Sequence, residues 1–467
     1  AMQEFKKLVQ PVQARAIDLE KGKLELLNRR DFTGLEDVRL EWELEIDGET
    51  IQKGILETLE AKPGQSIIVE LNIAVPEVLP GNEVYLTLLY ILKTSCKWAD
   101  EGHELVWDQF RVREFENNSD HGRFFIRGHN PVEISKSKTE IKIESDLGRL
   151  SFDTNSGRLK NICFGGRDLL VSSPQLNVWR APTDNDGLKA WIGNEEKSVS
   201  NLISVRTLRR WLEAGLDQIR LNKEICNVSE VFTRRDKKSE SGKKQQGLTI
   251  LEKNLECSIL HIEVEQCYSC GPIPEGFVHR TIWHVFPDLT LWMENMVIVH
   301  EELNDLPRIG LSFQLQEGFE EFEWFGNGPH ESYCDRMAGV RVGRFHSCVN
   351  EQYVPYIVPQ EHGNKTGLRW MMLKDTNYSG LFISSTGLFE GSVSHYPDEH
   401  LYSTSHGYKL KSHPETSVYL DHRQRGLGTG SCGPDTLERY LIPSGTHQFD
   451  YVFRPFNPTK TDPKDFF

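Results

Sequence analysis

Val38-Arg-Leu-Glu-Trp-Glu-Leu-Glu-Ile46, followed by Asp47-Gly48, is the stretch that decides the fold. Its apolar side chains fall at every second position, with Arg39, Glu41, Glu43 and Glu45 between them. In an extended chain that period puts the apolar set on one face and the charged set on the other, which predicts a half-buried strand. Asp-Gly at its end suits a tight hairpin, whose two central residues both need positive φ. Outward from there, Ile67–Leu71, introduced by Pro63-Gly64, and Val84–Leu92 read as further strands. Short strands at roughly ten-residue spacing predict an immunoglobulin-like β-sandwich over residues 1–115.

Composition shifts at Glu114-Phe-Glu-Asn-Asn-Ser-Asp-His-Gly122, a polar run without apolar periodicity, so a linker is expected over 116–128. A second, larger β domain is expected over 129–460. It opens on Glu140–Ser145 and Gly148–Asp153, with turns expected at Asn155-Ser-Gly157 and Gly326-Asn-Gly328. One helix is predicted, over Glu195–Ala214, where Leu202, Val205, Leu208 and Leu212 share a face and Gly215 follows as a cap. The fold class is therefore all-β, a small sandwich followed by a large one.

The charge balance narrows the partners. With 54 Lys and Arg against 69 Asp and Glu, the net charge is −15, which opposes binding to nucleic acid or an anionic membrane. The segment Arg234–Gln246 holds six basic residues, yet reads better as a solvated hairpin loop. No run approaches the ~20 apolar residues of a membrane-spanning helix, and the N-terminal AMQEFKKLVQP lacks the apolar stretch of a secretory signal. Nine scattered cysteines give no disulfide framework, so a cytoplasmic setting is expected.

Metal and phosphate signatures are weak. Cys267-Tyr-Ser-Cys270 has a CxxC spacing but no second pair at zinc-ribbon distance, and two ordinary thiols are expected. No HExxH occurs, and the glycines from Gly426 do not form a dinucleotide motif. Three segments are richer: Trp179-Arg-Ala-Pro-Thr-Asp-Asn-Asp186, Trp324-Phe-Gly-Asn-Gly-Pro-His-Glu-Ser-Tyr-Cys-Asp-Arg336, and Asp421-His-Arg-Gln-Arg-Gly-Leu-Gly-Thr-Gly-Ser-Cys-Gly-Pro434. Aromatic faces stack on sugar C–H groups while carboxylates and amides bond hydroxyls, so such loops suit sugar recognition. The competing structural reading pairs Arg180 with Asp184 or Asp186 inside a buried turn.

In this order the three segments resemble the C-terminal part of the large β-galactosidases of glycoside hydrolase family 2. Gln10-Pro-Val12, Asn28-Arg-Arg-Asp-Phe32 and Trp98-Ala-Asp-Glu-Gly-His-Glu104 resemble the sandwich that follows the family's catalytic barrel. Residues from about 130 onward resemble its last domain, a two-layer β-supersandwich similar to galactose mutarotases. The resemblance implies retaining hydrolysis of terminal β-D-galactosides, with two glutamates on a (β/α)8 barrel. This sequence shows no alternation of strands and helices over the ~250 residues a barrel occupies. Among its Asn-Glu pairs, Asn82-Glu83 and Asn194-Glu195 do not end barrel strands.

The chain therefore resembles the non-catalytic part, as a fragment or as the small subunit of a split enzyme, with no catalytic residue of its own. Its implied partners are the barrel, of the same or another chain, a β-galactoside at the domain edge, and further copies in an oligomer. Family enzymes use Mg and Na, which the resemblance assigns mainly to the barrel. It also places Gly430, Ser431 and Cys432 at the substrate, where many members carry a tryptophan at the position of Cys432. Two rivals are a free-standing carbohydrate-binding module and a mutarotase-like epimerase with a His base and a carboxylate partner. Galactoside binding by the chain alone favours the first rival, and anomer interconversion favours the second.

Overall fold

The computed structural model describes residues 2–78, 81–113, 132–187, 203–230, 258–375, 379–461 and 466. The linker predicted at 116–128, the basic run 234–246 and the part of the predicted helix before Ile203 lie outside them. Two units make up the chain: unit 1 is Ala1–Ser119 with 325–330 and 336–345, and unit 2 is the remainder.

Unit 1 contains α1 (Met2–Leu8) and strands β1 (Val12–Asp18), β2 (Lys23–Asn28), β3 (Val38–Ile46), β4 (Glu49–Leu56), β5 (Ser66–Glu70), β6 (Val84–Leu92) and β7 (Glu104–Arg111). They form a three-stranded sheet, β1-β2-β5, and a four-stranded one, β4-β3-β6-β7. The period-two stretch behaves as its pattern dictates: Val38, Leu40, Trp42 and Leu44 are buried, and the residues between them are partly exposed. Asp47 and Gly48 take φ of 51° and 78°, the two positive values a tight hairpin demands. β6 is buried on nearly every residue and joins β3 and β7. Its Leu86, Leu88 and Tyr90 meet Val12, Leu24, Leu26 and Trp42 in one core. A buried carboxylate, Asp108, is compensated there by the Ala14 amide at 2.7 Å, Gln10 at 3.1 Å, Tyr90 at 3.2 Å and Lys7 at 2.7 Å.

Unit 2 begins with an antiparallel sheet of β8 (Glu133–Lys136), β9 (Glu140–Ser145), β10 (Gly148–Asp153), β11 (Leu159–Phe164) and β12 (Arg167–Asp168). The next strands are β13 (Leu170–Asn177), β14 (Arg220–Glu230), β15 (Leu260–Cys270), β16 (Ile273–Val285), β17 (Leu291–Val299) and β18 (Arg308–Leu315). Later in the chain come β19 (Phe319–Gly328), whose residues 325–328 fall in unit 1, β20 (Arg341–Cys348), whose residues 341–345 fall in unit 1, and then β21 (Lys365–Asp375), β22 (Gly380–Ser394), β23 (Thr416–Gln424) and β24 (Gly445–Phe456). The main path of this large sheet runs β13-β18-β23-β22-β24-β17-β16-β15-β14. Every pairing on it is antiparallel. The class is all-β, as the alternation implied.

Two local expectations separate here. Gly157 does turn, with φ of 68°, but Gly326-Asn-Gly328 is no turn: it is the last part of β19. Glycine there answers a packing constraint, since a Cβ on Gly328 would lie 2.6 Å from the Phe345 ring. The helix is described as α2 (Ile203–Ala214), whose Leu208 and Trp211 are buried and whose Leu212 packs beside them. Gly215 follows in the left-handed region at φ 77°, with the Gly271 amide only 2.5 Å from where a Cβ would stand.

Candidate functional site

The first polar segment is spent internally. Just beyond β13, Arg180 is wholly buried, and its Nε and Nη2 donate to Asp186 at 3.2 and 2.7 Å in a bidentate pair. Nη1 donates to the Arg425 carbonyl at 2.6 Å and to Gln424 Oε1 at 3.2 Å. Asp186 also accepts from the Thr183 amide and hydroxyl, at 2.9 and 3.0 Å, which closes the turn. Of the two carboxylates offered by the sequence, Arg180 chooses Asp186. The Asp184 amide donates instead to Gln360 Oε1 at 3.0 Å.

The glycine-rich segment that follows β23 has a fixed base. Buried Arg425 donates through Nη2 to both oxygens of Asp435 at 2.9 Å, and through Nε to Asp305. Burial alone would lower its pKa, but Asp305, Asp186 and Asp435 outweigh that and hold the guanidinium charge firmly. Asp335 accepts the Leu427 and Gly428 amides at 2.9 and 2.7 Å and the Thr436 hydroxyl at 3.1 Å. α2 braces the same base, with Thr207 reaching Asp435 at 3.1 Å and Arg210 reaching Asp305 at 2.8 Å.

The three residues predicted to meet substrate are placed differently from one another. Gly430 is buried, and a Cβ on it would stand 2.5 Å from the Asn185 carbonyl. Ser431 is exposed, but its amide and hydroxyl both donate to Asn185 Oδ1, at 3.2 and 2.6 Å. Cys432 is exposed with a free thiol, and its amide donates to the Thr429 carbonyl at 3.0 Å. The glycines follow the same logic: a Cβ on Gly426 would meet Thr436 Oγ1 at 2.7 Å, and one on Gly428 would meet the Thr436 amide at 2.6 Å. They are required by the chain's own close packing.

Between these segments lies a buried acidic cluster that no short motif announced. Arg308, at the start of β18, donates to Asp421 Oδ2 at 3.2 and 2.8 Å and to Asp398 at 2.9 Å, and Glu361 lies 3.5 Å away. One guanidinium thus serves three carboxylates, all nearly or wholly buried. Burial pushes the Asp421 carboxyl up to about 6 despite Arg308. It lifts Asp398 likewise. Glu390, opposite Asp421 across β22 and β23 and hydrogen-bonded by Asn364 at 2.8 Å, is pushed up to about 7, again mainly by burial.

Other candidates carry little chemistry. Cys267 and Cys270 lie on β15, and burial raises both thiols, Cys270 to about 11, so neither offers a thiolate. Glu83 precedes β6 and pairs with Arg111 at 3.3 Å in a sandwich, while Asn194-Glu195 lies outside the described residues. In unit 1 a cavity of about 320 Å³ is lined by Lys6, Lys7, Trp107 and Arg341 among others. Its lysines are engaged with the Glu104 carbonyl and with Asp108. Among the described residues no group of three or more His, Cys, Asp or Glu is arranged to hold a metal ion. No described helix is long and apolar enough to cross a membrane.

Comparison with known proteins adds two family matches. Residues 145–454 match the family described as β-galactosidase small chain, and residues 24–113 match β-galactosidase domain 4. Among curated proteins, β-galactosidase of Priestia megaterium is 26% identical over 95% of this chain and 38% of its own length. That of Actinobacillus pleuropneumoniae is 27% identical over 96% of this chain and 39% of its own. The chain thus spans about two fifths of the length of these relatives. A solved galactose 1-epimerase from Lactobacillus acidophilus NCFM covers 70% of this chain and 99% of its own at 8% identity and a TM-score of 0.35, too loose a likeness to carry an argument.

Proposed function

Because the chain belongs to the β-galactosidase small-chain family, we propose that it is the non-catalytic part of a retaining β-galactosidase of glycoside hydrolase family 2, acting on terminal β-D-galactosides. The observation that carries this reading is the order of the two matches, domain 4 over 24–113 and small chain over 145–454, with no barrel-like alternation of strands and helices among the described residues. On this reading the nucleophile and the acid/base are glutamates of a barrel in the same or a partner chain, and Mg and Na are held mainly there. The two units of this chain support that barrel and edge its pocket, in an oligomer of the complete enzyme.

At the edge, the loop carrying Gly430, Ser431 and Cys432 faces the galactoside. Gly430 and Ser431 supply its shape, and the exposed Cys432 side chain supplies the contact. A thiomethylene offers far less apolar area than an indole, so the contact is weak. The test is turnover of a chromogenic β-galactoside. Purified chain alone is expected to give none, since the two carboxylates carry most of the ~8–23 kcal/mol by which enzymes lower barriers. Turnover that survives purification and vanishes on a point change within this chain would overturn the reading.

A further inference from the structure

We propose that Asn185 is the positioning residue that sets the Gly428–Gly433 loop, and with it Cys432, at the galactoside pocket; the proposal rests on that loop lying at the pocket. The carboxamide works at both ends. Its Nδ2 donates to the Gly428 carbonyl at 2.8 Å, while its Oδ1 accepts the Ser431 amide at 3.2 Å and the Ser431 hydroxyl at 2.6 Å. Within the loop, the Thr429 hydroxyl donates to the Pro434 carbonyl at 2.9 Å and closes it against itself. Among the described residues, no other side chain from outside 426–436 hydrogen-bonds to 429–433. Asp335, Arg425 and α2 hold only the base.

Asn185 is itself held rigidly. Asp184 before it is tied by its amide to Gln360, and Asp186 after it is wholly buried against Arg180. The Asn185 carbonyl is also the atom that leaves no room for a Cβ at Gly430, so loop and turn meet backbone to backbone. Chemistry selects the residue type. An aspartate keeps an acceptor for Ser431 but turns a carboxylate oxygen toward the Gly428 carbonyl, and an alanine keeps neither bond. A side chain that orients another group from a locked turn acts on geometry, and so on substrate affinity more than on the chemical step.

The test uses the full chain and the complete β-galactosidase that contains it. In the full chain, Cys432 alkylation by iodoacetamide is followed by peptide mass spectrometry, with exposed Cys96 as the internal control. Asn185→Ala is expected to speed Cys432 alkylation about fivefold, the factor of a lost hydrogen bond or two, and leave Cys96 unchanged. In the complete enzyme the same change is expected to raise KM about threefold with kcat within about twofold, and Asn185→Asp to fall between it and wild type. In the complete enzyme a non-hydrolysable thiogalactoside separates the two ideas: failure to protect wild-type Cys432 from alkylation there overturns the loop's place at the pocket. Protection in wild type, combined with unchanged Cys432 alkylation and KM in Asn185→Ala, overturns the role of Asn185 alone. Should Asn185→Ala not fold, Asn185→Asp carries the same comparison.

Discussion

The turn at 179–186, with Arg180, Asp184, Asn185 and Asp186, and the segment at 421–434, with Asp421, Arg423, Arg425 and four glycines, both read as polar recognition loops, yet they use their polar groups in opposite ways. In the turn the central ion pair is consumed: Arg180 and Asp186 are both wholly buried and bonded to each other. In the loop the base is equally consumed, by Arg425, Asp335 and Asp435, but the tip ends in an exposed thiol. Composition that looks like ligand recognition therefore splits into a frame and a tip. Only burial and partner geometry tell them apart.

The sharpest way to break this comparison is Arg180→Ala in the full chain. If the turn is frame, Asp186 is left as a buried, uncompensated charge, and stability should fall by ~3–5 kcal/mol. Denaturant unfolding reads this directly, and an unchanged midpoint would mean that the turn is not frame. Next in size is the pH response of the acidic cluster. Glu390 titrates near 7 when folded, against 4.5 in an unfolded chain. Below about pH 4 both states hold the proton; as pH rises from there to 7 the unfolded chain ionises first, so stability is lost across that window, by roughly 3 kcal/mol in all. Glu390→Gln should remove this part of the slope when melting temperature is followed from pH 4 to 8. A parallel slope in the variant would show Glu390 to be ionised in the folded state.

A smaller effect is expected at Gly430, where an added methyl meets the Asn185 carbonyl. Gly430→Ala should destabilise the chain by ~1–3 kcal/mol, the usual cost of overpacking, as measured by thermal unfolding. At the tip the expectation reverses. Cys432→Ala should change unfolding free energy by less than ~0.5 kcal/mol, as exposed positions without partners do. Cys432→Trp in the complete enzyme should instead shift KM about fivefold, because a stacked aromatic contributes ~0.5–1.5 kcal/mol beyond its area. Wild-type KM for several galactosides in a folded Trp variant would make the tip as inert as the frame.

Legibility from sequence followed the range of the interactions. The hairpin at Asp47-Gly48 is decided by neighbours and was plain in the chain, and the pairing of Arg180 with a nearby carboxylate was legible as a choice between Asp184 and Asp186. Gly326-Asn-Gly328 misled because the same residue type serves turns and tight strand contacts, and Phe345, its packing partner, lies 17 residues from Gly328. The Arg308 cluster draws on Glu361, Asp398 and Asp421, at least 53 positions away, with no local spacing to reveal it. Asn185 and Asp335 stood inside the quoted segments. Their roles as clamps emerge only when separations of 246 and 93 residues are closed by the sheet.

The glycines packed against Thr436 and Asn185 also bear on how this loop can be altered by design or by drift. Gly426, Gly428 and Gly430 admit no side chain without displacing backbone or the Asp335 clamp, and Ser431 is committed to Asn185. Variation is thereby channelled to position 432, where a library of all residue types can be screened for altered sugar preference while the scaffold is left intact.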